Sequence, residues 1–419
     1  MPSPLAAVRT QLARQVVHWS VAMEELGDLG HFAAPSAWKA LERYLDVAVE
    51  SALRRALERL HRQCDVLKAR LAAAETEHEL AGVRRELLTF RRRYLAVETM
   101  VHFYGDAINT RTNPALATYL RACDTLARES LVRLLAPLGL PTPPVLTYLD
   151  KGLGASILKA GLRLWDGRSL SPVAAVRVVH HSLYMCPTSL CHEAGHQAAH
   201  LTGWVPELAA ALETGLSGGP LGRLWAGWAS EIAADAHAFV HTGYASLAAL
   251  HDVLAGDADA VLRVQALDPH PTGYIRVLLG HGMCRRFFGA GPWDGLAEAW
   301  THFYRVGDAD EDSAAVLQAS VARLPAIVEI VLERSYRAFR GRSLVERIDP
   351  SRVRPDALEE LARAAGGSLY RSSDWVRREC LRLLALCGYR VATAPEQARE
   401  ALREQDEWMN ALGRMATAA

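Results

Sequence analysis

Cysteine is scarce in this 419-residue chain, and the seven present are scattered without paired spacing. An odd, unpaired set excludes a disulfide framework and fits a reducing compartment. Net charge is lacking too, since 47 basic residues balance 47 acidic ones. That balance removes the electrostatic footprint of a nucleic-acid or anionic-membrane binder. No run approaches the ~20 uninterrupted apolar residues of a membrane helix. Met1 to Gln15 also lacks the long apolar core of a secretory signal. The expectation is a cytoplasmic protein with reduced thiols, partnered neither by nucleic acid nor by membrane.

What is present is ordinary globular composition, 50% hydrophobic and 22% charged, in a chain long enough for two or three cores. The first 150 residues read as helical. Leu53, Leu57, Leu60, Cys64, Leu67 and Leu71 alternate spacings of four and three, as do Leu80, Val83, Leu87, Phe90, Tyr94, Val97 and Val101. These are seams of a coiled-coil-like hairpin. The phase slips between them, which places a turn near Glu75 to His78, although no Gly or Pro marks it. Arg84, Arg85 and Arg91 to Arg93 read as solvated faces of the hairpin. Pro141-Thr142-Pro143-Pro144 breaks the pattern and marks a domain boundary. Valine-rich Ala174 to His181 reads as a strand. Pro187 opens a helix that Gly203 closes, and a second helix runs from about Leu221 to His241. From Trp293 onward the pattern is helical, with breaks near Asp349-Pro350, Gly366-Gly367 and Ala394-Pro395. The acidic stretch Asp308 to Asp312 lacks calcium-loop spacing and suits a helix N-terminus.

Chemistry concentrates in His192-Glu193-Ala194-Gly195-His196. On a helix, His192 and His196 lie one turn apart on one face and can share a zinc ion. Glu193 is rotated by about 100° from His192, so it is no ligand but can act on water at the metal. Zinc lowers the pKa of such a water towards ~7, and a carboxylate can then take its proton. In Glu231-Ile232-Ala233-Ala234-Asp235 two carboxylates again lie one turn apart. Glu231 can be the third ligand, and Asp235 can hold the outer nitrogen of a ligand histidine.

These residues resemble the gluzincin metallopeptidases, whose pattern is HExxH followed by ExxxD. The ExxAD form looks most like the branch containing the CAAX-processing proteases and their soluble relatives. His270-Pro271-Thr272-Gly273-Tyr274-Ile275-Arg276 is similar to that branch's His-Pro-x-x-x-x-Arg segment. The resemblance implies a zinc metallopeptidase, with His192, His196 and Glu231 on one Zn2+ per chain and Glu193 as general base. It further implies Asp235 behind a ligand and His270 and Arg276 assisting the oxyanion. It covers about 90 residues, from His192 to Arg276. Only 34 residues separate His196 from Glu231, short for that branch, and its membrane helices are missing.

The expected architecture is mainly α. A zincin-like α+β core with a small sheet (141–290) stands between a helical N-terminal domain (1–140) and a helical C-terminal domain (291–419). Substrates would be proteins or peptides, and the helical domains offer surfaces to a protein partner. Val176 to His181 is expected to be a sheet-edge strand that pairs with extended substrate, with His180 and His181 on opposite faces. Tyr244 and Tyr274 are alternative oxyanion donors to His270. His200 lies ~12 Å along the helix from His192, too far to share its metal. His237 is rotated by about 240° from Glu231 and faces elsewhere, while His241 is a weaker candidate for the site. Cys186 and Cys191 are small buried hydrophobes or, alternatively, latent-state ligands. Two other readings use the same residues differently: a helical binding or regulatory protein retaining a zincin scaffold, and a zinc hydrolase acting on a non-peptide amide.

Overall fold

A computed structural model describes residues 4–150, 156–158, 173–179, 185–265 and 268–416. It is mainly α, with one small sheet. Helices α1 (Pro4–Gly27), α2 (Pro35–Leu45), α3 (Val49–Ala73) and α4 (Glu77–Thr110) build a first compact unit. Both seams are buried, except that Leu71 at the end of the first is partly exposed. Arg84, Arg85, Arg91 and Arg92 are exposed and Arg93 partly so. The turn falls at Ala74 to Thr76, where Thr76 Oγ1 accepts from the Glu79 backbone at 3.2 Å and Glu79 Oε2 accepts from the Thr76 backbone at 2.9 Å. This capping box stops one helix and starts the next without Gly or Pro.

A second compact unit holds Pro114 to Leu158 and the chain from Val176 onward. Its elements are α5 (Pro114–Leu135), the strands β1 (Val145–Asp150), β2 (Ser156–Leu158) and β3 (Ala174–Val179), and a run of helices. Those are α6 (Ser189–Thr202), α7 (Trp204–Gly215), α8 (Pro220–Gly227), α9 (Ala229–Thr242), α10 (Tyr244–Leu254), α11 (Ala258–Leu262), α12 (Gly273–Phe288), α13 (Pro292–Phe303), α14 (Glu311–Val328), α15 (Leu344–Arg347), α16 (Pro355–Ala365), α17 (Ser373–Thr393) and α18 (Ala398–Met415).

The prolines at 141 to 144 separate α5 from β1 but not one unit from another. Asp124 on α5 accepts from the Thr147 backbone at 2.6 Å and from its hydroxyl at 2.7 Å, tying β1 to the helix. The C-terminal helices belong to the same unit. Gln405 on α18 donates to the Tyr119 hydroxyl of α5 at 3.1 Å, and Arg121 Nε donates to the Gly413 carbonyl at 3.2 Å. The domain edges expected near 140 and 290 therefore fall inside one packed body.

The sheet order is β1-β3-β2. This corrects the edge-strand expectation, because β3 lies between β1 and β2. Ala174, Val176 and Val178 are buried, and such a valine-rich strand reads the same whether central or peripheral. The strand beside α6 is β2, the outer one among the described strands on that side. His180 and His181 lie outside the described residues.

The helix expected from Leu221 to His241 is two helices, α8 and α9, parted at Trp228. Gly243, at φ 56°, ends the second. Asp310 caps α14, accepting from the Ser313 backbone at 2.9 Å, as the acidic stretch suggested. The segment Glu311–Glu333 is long and apolar enough to cross a membrane by length and composition. Here it packs on the core, with Leu317, Leu324, Ile327 and Val328 buried and Trp225 Nε1 donating to Ser320 Oγ at 3.1 Å.

Candidate metal centre

α6 and α9 cross at Gly195. A Cβ there would stand 2.8 Å from the Ala234 Cα and 3.0 Å from its carbonyl oxygen. Only glycine allows this approach, and it brings the first turns of α9 under the histidine face of α6. His192 and His196 lie on that face with ring centroids 4.9 Å apart. Glu231 rises between them: its Oε2 is 3.5 Å from His192 Nε2 and its Oε1 is 3.2 Å from His196 Nε2. The three ligating atoms all lie within 4.8 Å of one another.

Both imidazoles are held from behind. His192 Nδ1 is 2.9 Å from Asp235 Oδ1, and His196 Nδ1 is 3.1 Å from Ser230 Oγ. Each outer nitrogen thus has a partner, which leaves both Nε2 atoms facing the same point. Arg276 locks the arrangement from α12, with Nε donating to Asp235 Oδ2 at 2.9 Å and Nη2 donating to Oδ1 at 2.7 Å. Its Nη2 is 3.8 Å from Glu231 Oε2. The guanidinium is therefore buried against both carboxylates, forking Asp235 and approaching Glu231.

His270 stands at the rim, with its side chain 55% exposed and Nε2 3.5 Å from Glu231 Oε1. Asp268 Oδ1 accepts from the His270 backbone at 2.9 Å and lies 2.8 Å from its Nδ1. One carboxylate oxygen thus fixes both the loop and the ring.

Burial alone would raise every carboxyl here and lower every imidazole. At Glu231 the bonds to His192 and His196 outweigh burial and hold the carboxyl well below its usual range. At Asp235 the Arg276 guanidinium and His192 do the same, to about 2. Burial pulls His192 down, but Asp235 and Glu231 push it up to about 9. Glu193 differs: burial raises it, and the nearby histidines offset this only in part. It is 5% exposed and makes no hydrogen bond or ion pair among the described residues. A buried, unpaired carboxylate with raised proton affinity suits a proton carrier.

No family model matches the chain, and no curated protein or solved structure matches it either. The metal-centre reading stands on the geometry of these side chains.

The structure gathers His192, His196, Glu231, Asp235, Arg276 and His270 into one cluster, with Glu193 in the same charged neighbourhood. Ser230 and Asp268 join them, although neither carries a sequence signal beyond standing next to Glu231 or two residues before His270. Other candidates lie elsewhere. The Tyr244 ring packs against Trp293 and Tyr389. Tyr274 is buried on α12, about 200° round from Arg276. His200 is exposed at the end of α6. His237 and His241 are buried with centroids 4.6 Å apart, and His237 packs against Gly195 at the helix crossing. Cys191 is fully buried, which pushes its thiol up to about 12. Cys186 Sγ lies 3.3 Å from Cys387 Sγ.

Proposed function

We propose that the protein is a zinc-dependent metallopeptidase of gluzincin type. One observation carries the reading: two imidazole Nε2 atoms and one carboxylate converge within 4.8 Å, and both outer imidazole nitrogens are held. Two histidines and a glutamate suit zinc with one position left open, as catalytic rather than structural zinc requires. The outer partners are what ligating imidazoles need to keep a fixed tautomer.

In this reading His192, His196 and Glu231 hold the ion. Bound there, zinc supplies Lewis acidity towards a substrate carbonyl and a lowered pKa for water. Asp235 Oδ1 keeps the His192 proton on Nδ1, and Arg276 keeps Asp235 ionised. The Ser230 hydroxyl accepts the His196 Nδ1 proton. Glu193 takes a proton from the attacking water and passes it to the leaving nitrogen. His270, steadied by Asp268, presents Nε2 towards the charge that develops on the carbonyl oxygen. An extended peptide can add at the β2 end of the sheet beside α6, where β2 is the outer strand among the described residues, through backbone hydrogen bonds.

The test combines metal analysis with cleavage. Purified protein should hold about one zinc per chain, and Glu193→Gln should keep that zinc while losing hydrolysis of a peptide library. Absence of bound zinc after loading, or turnover unchanged in Glu193→Gln, would overturn the reading. Hydrolysis of small amides but no peptides would move it to a non-peptide amide hydrolase.

A further inference from the structure

Away from the metal centre, the second unit concentrates arginine around a single carboxylate. Arg352 Nη2 and Arg382 Nη1 approach Glu379 Oε2 at 3.5 and 3.4 Å, and Arg378 Nε approaches Oε1 at 3.6 Å. Arg133, from α5, donates to the Arg378 carbonyl at 2.9 Å. α17 deforms at this point, with Glu379 at φ −111° and ψ 15°. Asp374 takes one further contact from Arg378 at 3.3 Å.

The distances are long for such groups. Several other arginines meet a carboxylate as a tight fork: Arg276 on Asp235 at 2.7 and 2.9 Å, Arg286 on Glu333 at 2.6 and 2.8 Å. Glu379 is spread across three guanidiniums and forks none of them; Arg382 is held instead by the Arg352 and Ala357 carbonyls at 2.9 and 2.8 Å, which leaves its Nη1 towards the cluster. One donor nearby is left over: Arg133 Nε is buried without a hydrogen-bond partner. Burial, with Arg133 beside it, pulls the Arg352 guanidinium below its ordinary value. Positive charge here is in excess and partly desolvated, an unfavourable state unless an anion completes it. Arg352 and Arg378 are about half exposed, at 49% and 56%, so the cluster is open to solvent.

We propose that Arg133, Arg352, Arg378 and Arg382 form a binding site for a small phosphate-bearing anion. Guanidinium forks match tetrahedral oxyanions in geometry, and a dianion supplies charge that one shared carboxylate does not. The turn carrying Arg352 packs against α9. His241 lies about 15 Å along that helix from Glu231, so this is a second site and does not depend on the metal reading.

Calorimetric titration of the full chain with inorganic phosphate tests it, with glucose 6-phosphate as a second arm and acetate at matched ionic strength as control. Saturable binding of phosphate but not acetate is expected. It should weaken about tenfold or more in Arg352→Gln and in Arg378→Gln, whose exposed side chains can change without loss of fold. Glu379→Gln removes the competing carboxylate and should tighten binding. Tighter binding of the sugar phosphate identifies an ester as the ligand, and equal affinity identifies phosphate alone. No saturable phosphate heat, or the same affinity in the Arg352→Gln/Arg378→Gln double variant, overturns the proposal.

Discussion

Gly195 faces His237 across the α6–α9 crossing, where a Cβ on the glycine would stand 2.9 Å from the Cβ of the histidine. The other close atoms belong to the Ala234 backbone, which cannot rotate aside. The glycine of the HEAGH motif thus sets how near Glu231 comes to the two histidines.

Gly195→Ala should part the helices. Overpacking costs about 1–3 kcal/mol, against which better helix propensity returns up to about 1 kcal/mol. The net expectation is a lower urea midpoint together with weaker zinc binding in a chelator competition. Unchanged values in both would show that the crossing yields easily and that the glycine is incidental.

Asp235 joins His192 to Arg276, so removing its charge acts in both directions. Asp235→Asn leaves a buried guanidinium uncompensated, worth about 3–5 kcal/mol of stability. It also frees the His192 ring, which should lower zinc affinity by roughly 10–100-fold. Arg276→Lys cannot fork the carboxylate and should reproduce part of both losses. If Asp235→Asn bound zinc as tightly as the parent, Asp235 would not be orienting His192.

How much of this was legible depended on whether the signal was local. Each pair, His192 with His196 and Glu231 with Asp235, sits one helical turn apart, so sequence spacing alone puts its members on one face. The hairpin seams repeat in the same way, and a slip in their phase located the turn. Its stop signal, Thr76 three residues before Glu79, is equally local but contains no Gly or Pro and so carries a weaker mark in the sequence. Sheet order was beyond reach: Val176 and Val178 show that β3 is buried, whereas its neighbours depend on pairing with distant segments. The break at Trp228 hides because apolar periodicity continues across it. Ser230 and Asp268 hide because serine and aspartate are common near any helix start or loop.

Buried His237 supplies a pH dependence whose sign follows from its environment. Burial, with a smaller contribution from His192, pulls it from 6.5 down to about 3. Above pH 6.5 both folded and unfolded chains hold this ring neutral, and its contribution is complete. As pH falls from 6.5 towards 3, only the unfolded chain gains the proton, so stability is lost, on the order of 4 kcal/mol at the limit. His241, also pulled well down, acts in the same direction. His192, raised to about 9, is protonated in both states below 6.5 and adds no slope there. Urea midpoints of the metal-free protein should therefore drop between pH 6.5 and 4.5, and His237→Gln should flatten the drop. Parallel curves for the two proteins would exclude His237 as its source.

Asp268 and His270 offer the sharpest check on how the rim of the site works. The aspartate holds both the backbone and the ring of His270 through one oxygen, and the ring's other nitrogen faces Glu231 at 3.5 Å. If His270 stabilises developing oxyanion charge, His270→Ala should lower kcat by roughly 100–1,000-fold while zinc content and KM stay near the parent values. Asp268→Ala should lose much of the same factor, since a free ring must be ordered anew in each turnover. The double variant should then be no worse than His270→Ala, because Asp268 acts only through the histidine. Additive losses would give Asp268 a role of its own, and loss of zinc in His270→Ala would make that histidine a ligand instead.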